Sequence, residues 1–292
     1  MATANSELPG QDYQHIGVTK AAGNIGAYIE GVDMTGSISP EVTAEVRRAL
    51  LENLVIFFRD QDITPDQQKD FGRNFGELML HPYIPTLEGH PELIELKSEE
   101  TGPAAMSYQS NQWHTDMTFM QEPAMGSLLW CKTAALAGGD TMFLNMYRAY
   151  ETLSEPLRNM LDGMQAVHDI TVSMPPDFLQ QSWAPAQLER LQEKTPPIKH
   201  PIVRTHPETG RKCLFVNPNF TAHIDGMSHL ESEGLLKILY EHAGKPENVV
   251  RFNWEDHSLA FWDNRCTQHY AINDYHSLRV MYRLTLCGDK PY

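Results

Sequence analysis

Short segments with strand character recur along almost the whole chain of 292 residues. They are rich in β-branched and aromatic residues and are bounded by turn-forming residues, as strands usually are. The clearest of them span 54–59, 126–132, 141–146, 213–217, 258–262 and 278–286. Since a chain of this length can form one large β or mixed barrel, the pattern predicts a mainly β protein.

Three helices are indicated by their ends. Pro40 begins the first, because proline is favoured at the first helical position. Thr64 and Gln67 form a capping box that begins the second, which we expect to end at Gly76. The third spans 228–244, between a capping serine and a glycine. Together with the strands they predict an α+β class, mainly β with flanking helices.

The chain carries a formal net charge of −15. Binding to phosphate backbones requires clustered Lys and Arg, so nucleic acid and anionic membranes are not expected partners. The first residues lack the charged start and apolar stretch of a secretion signal, and the apolar run at 54–58 is too short to span a bilayer. We therefore expect a soluble cytoplasmic protein.

A proline-rich segment lies at about 174–207 and contains seven prolines. Proline interrupts regular structure, so we expect this segment to be mostly irregular, with one short helix near 187–193. We interpret it as an insertion within a single domain that spans 1–292. Long irregular excursions of this kind often serve as a lid or a contact surface.

The sequence NQWHTDMTF at 111–119 contains a histidine and an aspartate two residues apart. On a β-strand such residues project from the same side, so His114 and Asp116 could give two ligands to one divalent metal. A distant histidine would complete a facial triad of the non-heme iron type. The alternative is a surface His-x-Asp joined by a hydrogen bond, which is common for so short a motif.

The segment 278–286 places two arginines on one face of a strand. Arg279 and Arg283 would lie about 13 Å apart at ~3.3 Å per residue, which suits two different anions better than one. The opposite face is apolar and resembles a core face. The alternative is an edge strand whose charges are in water, since arginine is mostly a surface residue.

Several separated motifs occur in an order that resembles a known enzyme family. They are His-Thr-Asp at 114–116, Gly-Gly-Asp-Thr at 138–141, Trp-Asp-Asn-Arg at 262–265, Thr-Gln-His-Tyr-Ala at 267–271, Arg279, Arg283 and Gly-Asp-Lys-Pro at 288–291. This pattern resembles the taurine dioxygenase and chlorophenoxyacetate dioxygenase family of Fe(II)- and 2-oxoglutarate-dependent oxygenases. The likeness covers nearly the whole chain and is closest to the taurine branch. It implies a double-stranded β-helix, a jelly-roll barrel with helices packed outside.

The resemblance implies a role for five residues in binding the cofactors. His114, Asp116 and His269 would be the iron ligands. Arg279 would bind the distal carboxylate of 2-oxoglutarate, with help from the hydroxyl of Thr141. A planar guanidinium can bind a carboxylate through two hydrogen bonds, which fixes its orientation. Fe(II), 2-oxoglutarate and O2 are thus the expected cofactor and cosubstrates.

The resemblance also implies a pocket for a small anionic substrate. Arg283 and His81 would hold the anionic head, and Phe220 would form an aromatic wall; Ser173 belongs to the same pocket. In the taurine branch the substrate is hydroxylated beside sulfur and sulfite leaves. An organosulfonate is therefore the first expectation for the substrate.

Differences from the taurine pattern occur where the amine of taurine would bind. Ile84 and Ser110 replace a tyrosine and an asparagine, and Met174 replaces a phenylalanine. Tyr83 and Asn111 lie one residue away and could substitute for the missing polar groups. A buried ammonium without partners is unfavourable, so these changes favour an alkyl sulfonate, a sulfate ester or a related acid over taurine itself.

Two other functions are compatible with parts of the pattern. An aryloxyalkanoate dioxygenase shares the iron site and Arg283 but needs space for a ring. A small-anion sensor built on a β-barrel would need no chemistry, although the presence of all three iron ligands and Arg279 argues against it. Family members are often oligomeric, so a homo-oligomer is a further possibility. Four other histidines are expected in loops or at the surface, namely His168, His200, His206 and His223.

Overall fold

The computed structural model describes residues 13–81, 84–98 and 111–292. The strands are β1 Gly17–Lys20, β2 Ala27–Glu30, β3 Val55–Phe58, β4 Leu93–Ser98, β5 Gly126–Thr133, β6 Thr141–Asn145, β7 Gln165–His168, β8 Ile198–Pro201, β9 Val203–Thr205, β10 Lys212–Leu214, β11 Thr221–Ile224, β12 Val249–Phe252, β13 Leu259–Asp263, β14 Thr267–Ala271 and β15 Arg279–Leu286. The α-helices are α1 Pro40–Asn53, α2 Pro65–Arg73, α3 Met146–Glu151, α4 Glu155–Leu161, α5 Pro176–Leu179, α6 Ala184–Lys194 and α7 His229–Ala243. Two 3₁₀ helices span Ile170–Ser173 and Pro246–Asn248. Within these ranges no helix is long and apolar enough to cross a membrane.

The strands form one large sheet and three small ones. The large sheet has the order β1-β2-β3-β13-β5-β15-β4, and the small sheets have the orders β12-β6-β14, β11-β7-β8 and β10-β9. Almost all neighbours are antiparallel; β2 and β3 form a parallel pair. This arrangement is the jelly-roll type that the sequence predicts, with helices outside. Because β15 lies between β5 and β4, the alternative of an exposed edge strand was wrong.

Two hydrophobic cores lie on opposite faces of the large sheet. One contains Trp262 and Met281 and fills the space between the large sheet and the small ones. The other contains Tyr282 and Leu284 and packs beneath α1 and α2. The alternation of side chains along β15 was therefore predicted correctly, since neighbouring residues enter different cores. The first core is the one that borders the candidate site.

The helix ends largely agree with the capping signals in the sequence. The Thr64 side chain accepts a hydrogen bond from the backbone N–H of Gln67, whose side chain caps Thr64 in return. A second capping box joins Ser228 and Glu231 at the start of α7. The predicted end of α2 at Gly76 was wrong, because the helix ends at Arg73 and the chain continues in a turn.

The segment 174–207 is more regular than its prolines suggest. It contains α5, α6, β8 and β9, so the prediction of a mostly irregular segment was wrong. The predicted helix at 187–193 is confirmed within α6. Pro185 lies in the first turn of that helix, where a missing N–H has no cost, so proline begins the helix here instead of preventing it.

Three of the four histidines that were expected in loops or at the surface are buried. His168, His200 and His206 are each at most 2% exposed. Each ring forms at least one hydrogen bond; for example, the Nε2 atom of His206 lies 3.1 Å from the carboxylate of Asp263. A buried polar ring is tolerated when it is paired in this way. Only His223 is exposed as expected.

Candidate active site

His114 and Asp116 are brought together by a bridge and a turn, not by a strand. His114 forms an isolated antiparallel bridge with His269 of β14, with reciprocal backbone hydrogen bonds of 3.1 and 2.8 Å. The chain then turns, and Met117 has a positive φ of 58°. The β-strand geometry that was used to place His114 and Asp116 on one side was thus wrong, but the expected cluster is present. One ligand atom each of His114, Asp116 and His269 lie within 4.8 Å of one another.

The two histidines of this cluster suit a metal ion. The Nδ1 atom of His114 lies 2.7 Å from the carbonyl oxygen of Gln112, so it donates its proton there and leaves Nε2 with a free lone pair. Nδ1 of His269 has no hydrogen-bond partner in the described part of the chain. Burial lowers the pKa of both rings, which keeps them in the neutral form that binds metals. Two imidazoles and one carboxylate are the donor set of a non-heme Fe(II) site.

Asp116 is held by a hydroxyl and a guanidinium. Its Oδ2 atom accepts a hydrogen bond of 2.8 Å from the Ser127 hydroxyl, and its Oδ1 atom lies 3.3 Å from Nη1 of Arg283. Burial alone would raise the pKa of Asp116, but the positive charge of Arg283 and the hydrogen bond from Ser127 hold it below its usual range. The carboxylate is therefore ionised and oriented toward the imidazoles.

Two residues that support Asp116, Ser127 and Asn264, were not identified from the sequence. Asn264 donates a 3.0 Å hydrogen bond to the Ser127 hydroxyl, and Asn264 in turn accepts one of 2.9 Å from the indole of Trp262. These residues link β13 to Asp116 through Ser127. The Trp-Asp-Asn-Arg motif was visible in the sequence. Only the fold shows that its asparagine contacts the Ser127 hydroxyl, which in turn donates to Asp116.

Arg279 and Thr141 are both neighbours of Trp254. The Arg279 guanidinium donates to the carbonyl oxygen of Gly139 at 3.2 Å, and its buried Nε has no partner among the described residues. The Thr141 hydroxyl accepts a 3.0 Å hydrogen bond from Trp254. Gly139 has a φ of +72°, and a Cβ atom there would come within 3.4 Å of the Arg279 Nε. A buried guanidinium with a free donor fits the distal carboxylate of 2-oxoglutarate.

Arg283 and His81 form the candidate anion grip. The Nδ1 atom of His81 accepts a 3.0 Å hydrogen bond from the backbone N–H of Ile84, so the proton of the neutral ring is on Nε2. Burial and then the nearby Arg283 lower the pKa of His81 to about 4. A neutral N–H donor beside a guanidinium can bind an oxyanion without a change in protonation.

Phe220, the expected aromatic wall of the substrate pocket, lies beside His114 of the candidate metal-ligand cluster. Its ring centroid is 6.5 Å from that of His114 and 5.0 Å from that of Phe119. It belongs to a small group of apolar side chains, hereafter the apolar cluster. The buried members are Met117, Phe119, Ile170 and Phe220, and the partly buried members are Met79, Met120 and Leu191.

Ser173 and Met174, two other expected substrate residues, lie in and just after the first 3₁₀ helix. The Ser173 hydroxyl donates its proton to the carbonyl oxygen of Ile170 at 2.7 Å, within the same 3₁₀ helix. Met174 is partly buried just after that helix. Ser110 lies outside the described residues, as does Tyr83. Sequence reasoning missed Ile170, because a lone apolar residue in a short 3₁₀ helix gives no signal of its neighbours.

Comparisons with known proteins agree with this geometry. The family profile described as "Taurine catabolism dioxygenase TauD, TfdA family" matches residues 17–285. An α-ketoglutarate-dependent sulfate ester dioxygenase from Pseudomonas putida is 37% identical over 283 residues, which cover 94% of this chain and 90% of the relative. An alkylsulfatase from Acinetobacter baylyi is 37% identical over 284 residues, which cover 94% of this chain and 86% of the relative.

A solved structure shows the same fold. The crystal structure of a taurine dioxygenase from Burkholderia xenovorans superimposes with a TM-score of 0.80 at 40% sequence identity, covering 95% of this chain and 91% of that one. Both sequence and structure are thus matched over nearly their full length. The chain belongs to the TauD/TfdA family of dioxygenases, which depend on Fe(II) and 2-oxoglutarate and consume O2.

Proposed function

We propose that this enzyme hydroxylates an alkyl chain that carries a terminal sulfonate or sulfate group. In this proposal His114, Asp116 and His269 bind iron, and Arg279 and Thr141 bind 2-oxoglutarate. The main support is that an anion grip contacts Asp116 and an apolar cluster contacts His114, so both border the same candidate metal ligands. Family membership sets aside the alternative of a non-enzymatic sensor.

The anion grip explains how the head group would be held near the iron ligands. Arg283 contacts Asp116 directly, so an oxyanion on this guanidinium would be held beside the metal-ligand cluster. His81 adds a neutral donor from a different segment of the chain. A tetrahedral sulfur oxyanion has three oxygens for these donors, and charge-assisted hydrogen bonds of this kind are strong.

The apolar cluster explains why an alkyl chain is favoured over an aminoalkyl chain. Phe220 connects it to His114, and Leu191 brings in α6. The residues that form this cluster are all aliphatic, thioether or aromatic, so an ammonium placed against them would lose its hydration without gaining a partner. Two of the relatives named above act on sulfate esters or carry the name alkylsulfatase, which supports the same substrate class.

The reaction is balanced without further reagents. When bound, iron and 2-oxoglutarate supply the oxidising chemistry that inserts one oxygen atom of O2 into a C–H bond, with succinate and CO2 as products. Hydroxylation of the carbon that bears a sulfonate gives an adduct that breaks down to an aldehyde and sulfite. The same step on a sulfate ester gives an aldehyde and sulfate. The residues of the chain orient the substrate and exclude water.

The experiment is a substrate panel with the purified enzyme, Fe(II), 2-oxoglutarate and O2. The panel pairs alkyl sulfonates and alkyl sulfates of matched chain length and adds taurine and an aryloxyacetate. Succinate, sulfite and sulfate are measured together, so coupled turnover is separated from uncoupled loss of 2-oxoglutarate. We expect the highest kcat/KM for an alkyl sulfonate or an alkyl sulfate.

Two results would overturn the proposal. A higher kcat/KM for taurine would show that the amine is bound after all, and a higher value for the aryloxyacetate would move the enzyme to the other branch. H269A, which removes one proposed iron ligand, is the control for turnover that does not depend on the site. The ratio of sulfite to sulfate formed from the paired substrates then decides between sulfonate and sulfate ester.

A further inference from the structure

Trp254 lies next to Thr141 and Arg279, the two residues that are proposed to bind the distal carboxylate of 2-oxoglutarate. It follows β12 and is 5% exposed, with its ring edge-on to Phe252 at a centroid distance of 4.8 Å. Its indole N–H donates a 3.0 Å hydrogen bond to the Thr141 hydroxyl. Its ring centroid is 6.0 Å from the guanidinium carbon of Arg279.

The direction of the hydrogen bond determines what the Thr141 hydroxyl can do. An indole nitrogen can only donate, so the hydroxyl oxygen must accept. The hydroxyl proton of Thr141 must then point elsewhere, and it has no acceptor in ranges 13–81, 84–98 and 111–292. Trp254 thus sets Thr141 as a donor toward an incoming anion. Without the indole, the hydroxyl would be free to rotate.

The ring of Trp254 acts on Arg279. The guanidinium carbon is also 5.4 Å from the ring centroid of Tyr275, so two aromatic rings are near it. Both distances fall within about 6 Å, the range in which a guanidinium is attracted to an aromatic ring. The Gly139 carbonyl accepts from one end of the guanidinium, and the buried Nε stays available. The ring therefore limits the rotation of the guanidinium about its own stem.

We propose that Trp254 is a positioning residue for 2-oxoglutarate. It does not contact the cosubstrate itself but orients Thr141 and Arg279, which do. The indole N–H turns the Thr141 hydroxyl into a donor, and the indole ring aligns the Arg279 guanidinium. The same side chain thus orients both Thr141 and Arg279 before the distal carboxylate of 2-oxoglutarate binds. This inference rests on the roles of Thr141 and Arg279 given under the proposed function.

The test is anaerobic binding of 2-oxoglutarate to the Fe(II)-loaded enzyme, followed by the visible absorption of the complex and by calorimetry. W254F keeps an aromatic ring and loses the N–H, so we expect its Kd for 2-oxoglutarate to rise about five- to tenfold, the usual effect of one lost hydrogen bond. W254L also loses the ring and should bind more weakly than W254F. Iron affinity should be unchanged in both variants.

W130F is the matched control. Trp130 is equally buried and its indole also donates a hydrogen bond, of 2.7 Å, but to the backbone of Gln61 on the other face of the large sheet. It should lose stability as W254F does and keep the wild-type Kd for 2-oxoglutarate. A 2-oxo acid without a distal carboxylate, such as 2-oxopentanoate, should bind to W254F and to the wild type equally well.

A double mutant tests whether Trp254 acts through Thr141. If it does, W254F and T141V combined should bind 2-oxoglutarate no more weakly than T141V alone. The inference would be overturned if the increases in Kd of the two single mutants multiply in the double mutant. It would also be overturned if the Kd of W254F for 2-oxoglutarate is unchanged, or if W254F binds 2-oxopentanoate more weakly by the same factor. Failure of the wild type to bind 2-oxoglutarate would instead overturn the proposed function, so the two failures are distinguishable.

Discussion

Arg283 places the Nη1 atom of its guanidinium 3.3 Å from the Oδ1 atom of Asp116. The two residues are 167 positions apart in the chain, and the contact is nearly buried. This contact joins the two proposed sites, because Arg283 belongs to the anion grip and Asp116 belongs to the metal site. A head group held by Arg283 would therefore lie close to the proposed iron ligands.

Replacement of Arg283 should separate substrate binding from cosubstrate binding. In R283L the substrate loses its main charged partner, so we expect kcat/KM for the best alkyl sulfonate or sulfate to fall about 10²-fold or more. R283K keeps the charge but loses the planar fork and should be intermediate. The Kd for 2-oxoglutarate, measured anaerobically, should change little because Arg279 is intact. An equal loss of 2-oxoglutarate binding would show that the two arginines do not serve separate anions.

The separation of these two arginines illustrates what the sequence could predict. Strand alternation in 279–286 was enough to place both on one face, and it was confirmed by the two cores. The same argument failed for His114 and Asp116, whose proximity comes from a bridge to β14 and a turn at Met117. Their spacing was informative, but local periodicity could not supply the long-range pairing that produces it. The order of several motifs carried that information instead.

The contacts that support Asp116 could not be predicted from the sequence, for a related reason. Ser127 and Asn264 are 137 positions apart, and each looks like an ordinary polar residue in its own segment. Only the pairing of β13 with β5 brings them together beneath Asp116. The burial of His168 and His200 was missed likewise, because their partners come from other segments. Capping boxes, which depend on residues three positions apart, were read correctly.

Removal of the Ser127 hydroxyl should weaken metal binding. In S127A the carboxylate of Asp116 loses a 2.8 Å hydrogen bond that orients it. Loss of such outer contacts typically costs 10- to 100-fold in metal affinity, and we expect an effect within this range, on the order of 10-fold. The measurement is the Kd for Co(II) or Fe(II) by competition with a chelator under anaerobic conditions.

S258A provides a control of the same chemical kind. Ser258 is also fully buried and its hydroxyl accepts a 2.7 Å hydrogen bond from Arg59, but it lies outside the metal-ligand cluster. It should keep the wild-type metal Kd even if it lowers stability. If S127A and S258A have the same metal affinity, the Ser127 hydroxyl does not orient the ligand.

Stability should fall as the solution becomes mildly acidic. Burial lowers the pKa of His168 to about 3 and that of His200 to about 4, whereas both would titrate near 6.5 in the unfolded chain. Between these values the unfolded state binds more protons, so the free energy of unfolding decreases as pH falls from 6.5 toward 4. Urea unfolding at several pH values measures this slope.

H168Q should make that slope shallower. One fewer proton taken up on unfolding reduces the slope by about 1.4 kcal/mol per pH unit within the window. The variant will also lose stability at neutral pH, because the ring hydrogen-bonds to Thr118, so the slope and not the absolute value is the result to compare. A slope in H168Q equal to that of the wild type would contradict the prediction.

The contribution of α6 to substrate choice can be tested with chain length. Leu191 is the member of the apolar cluster that comes from this helix, and it is only partly buried, so L191A should fold. If the alkyl chain extends over the cluster, kcat/KM for long chains should fall by about tenfold, whereas two-carbon substrates should be unaffected. L188A, on the same helix but not in the cluster, is the matched control and should leave the preference unchanged. An equal loss for short and long chains in L191A would mean that α6 supports the fold of the site without contacting the chain.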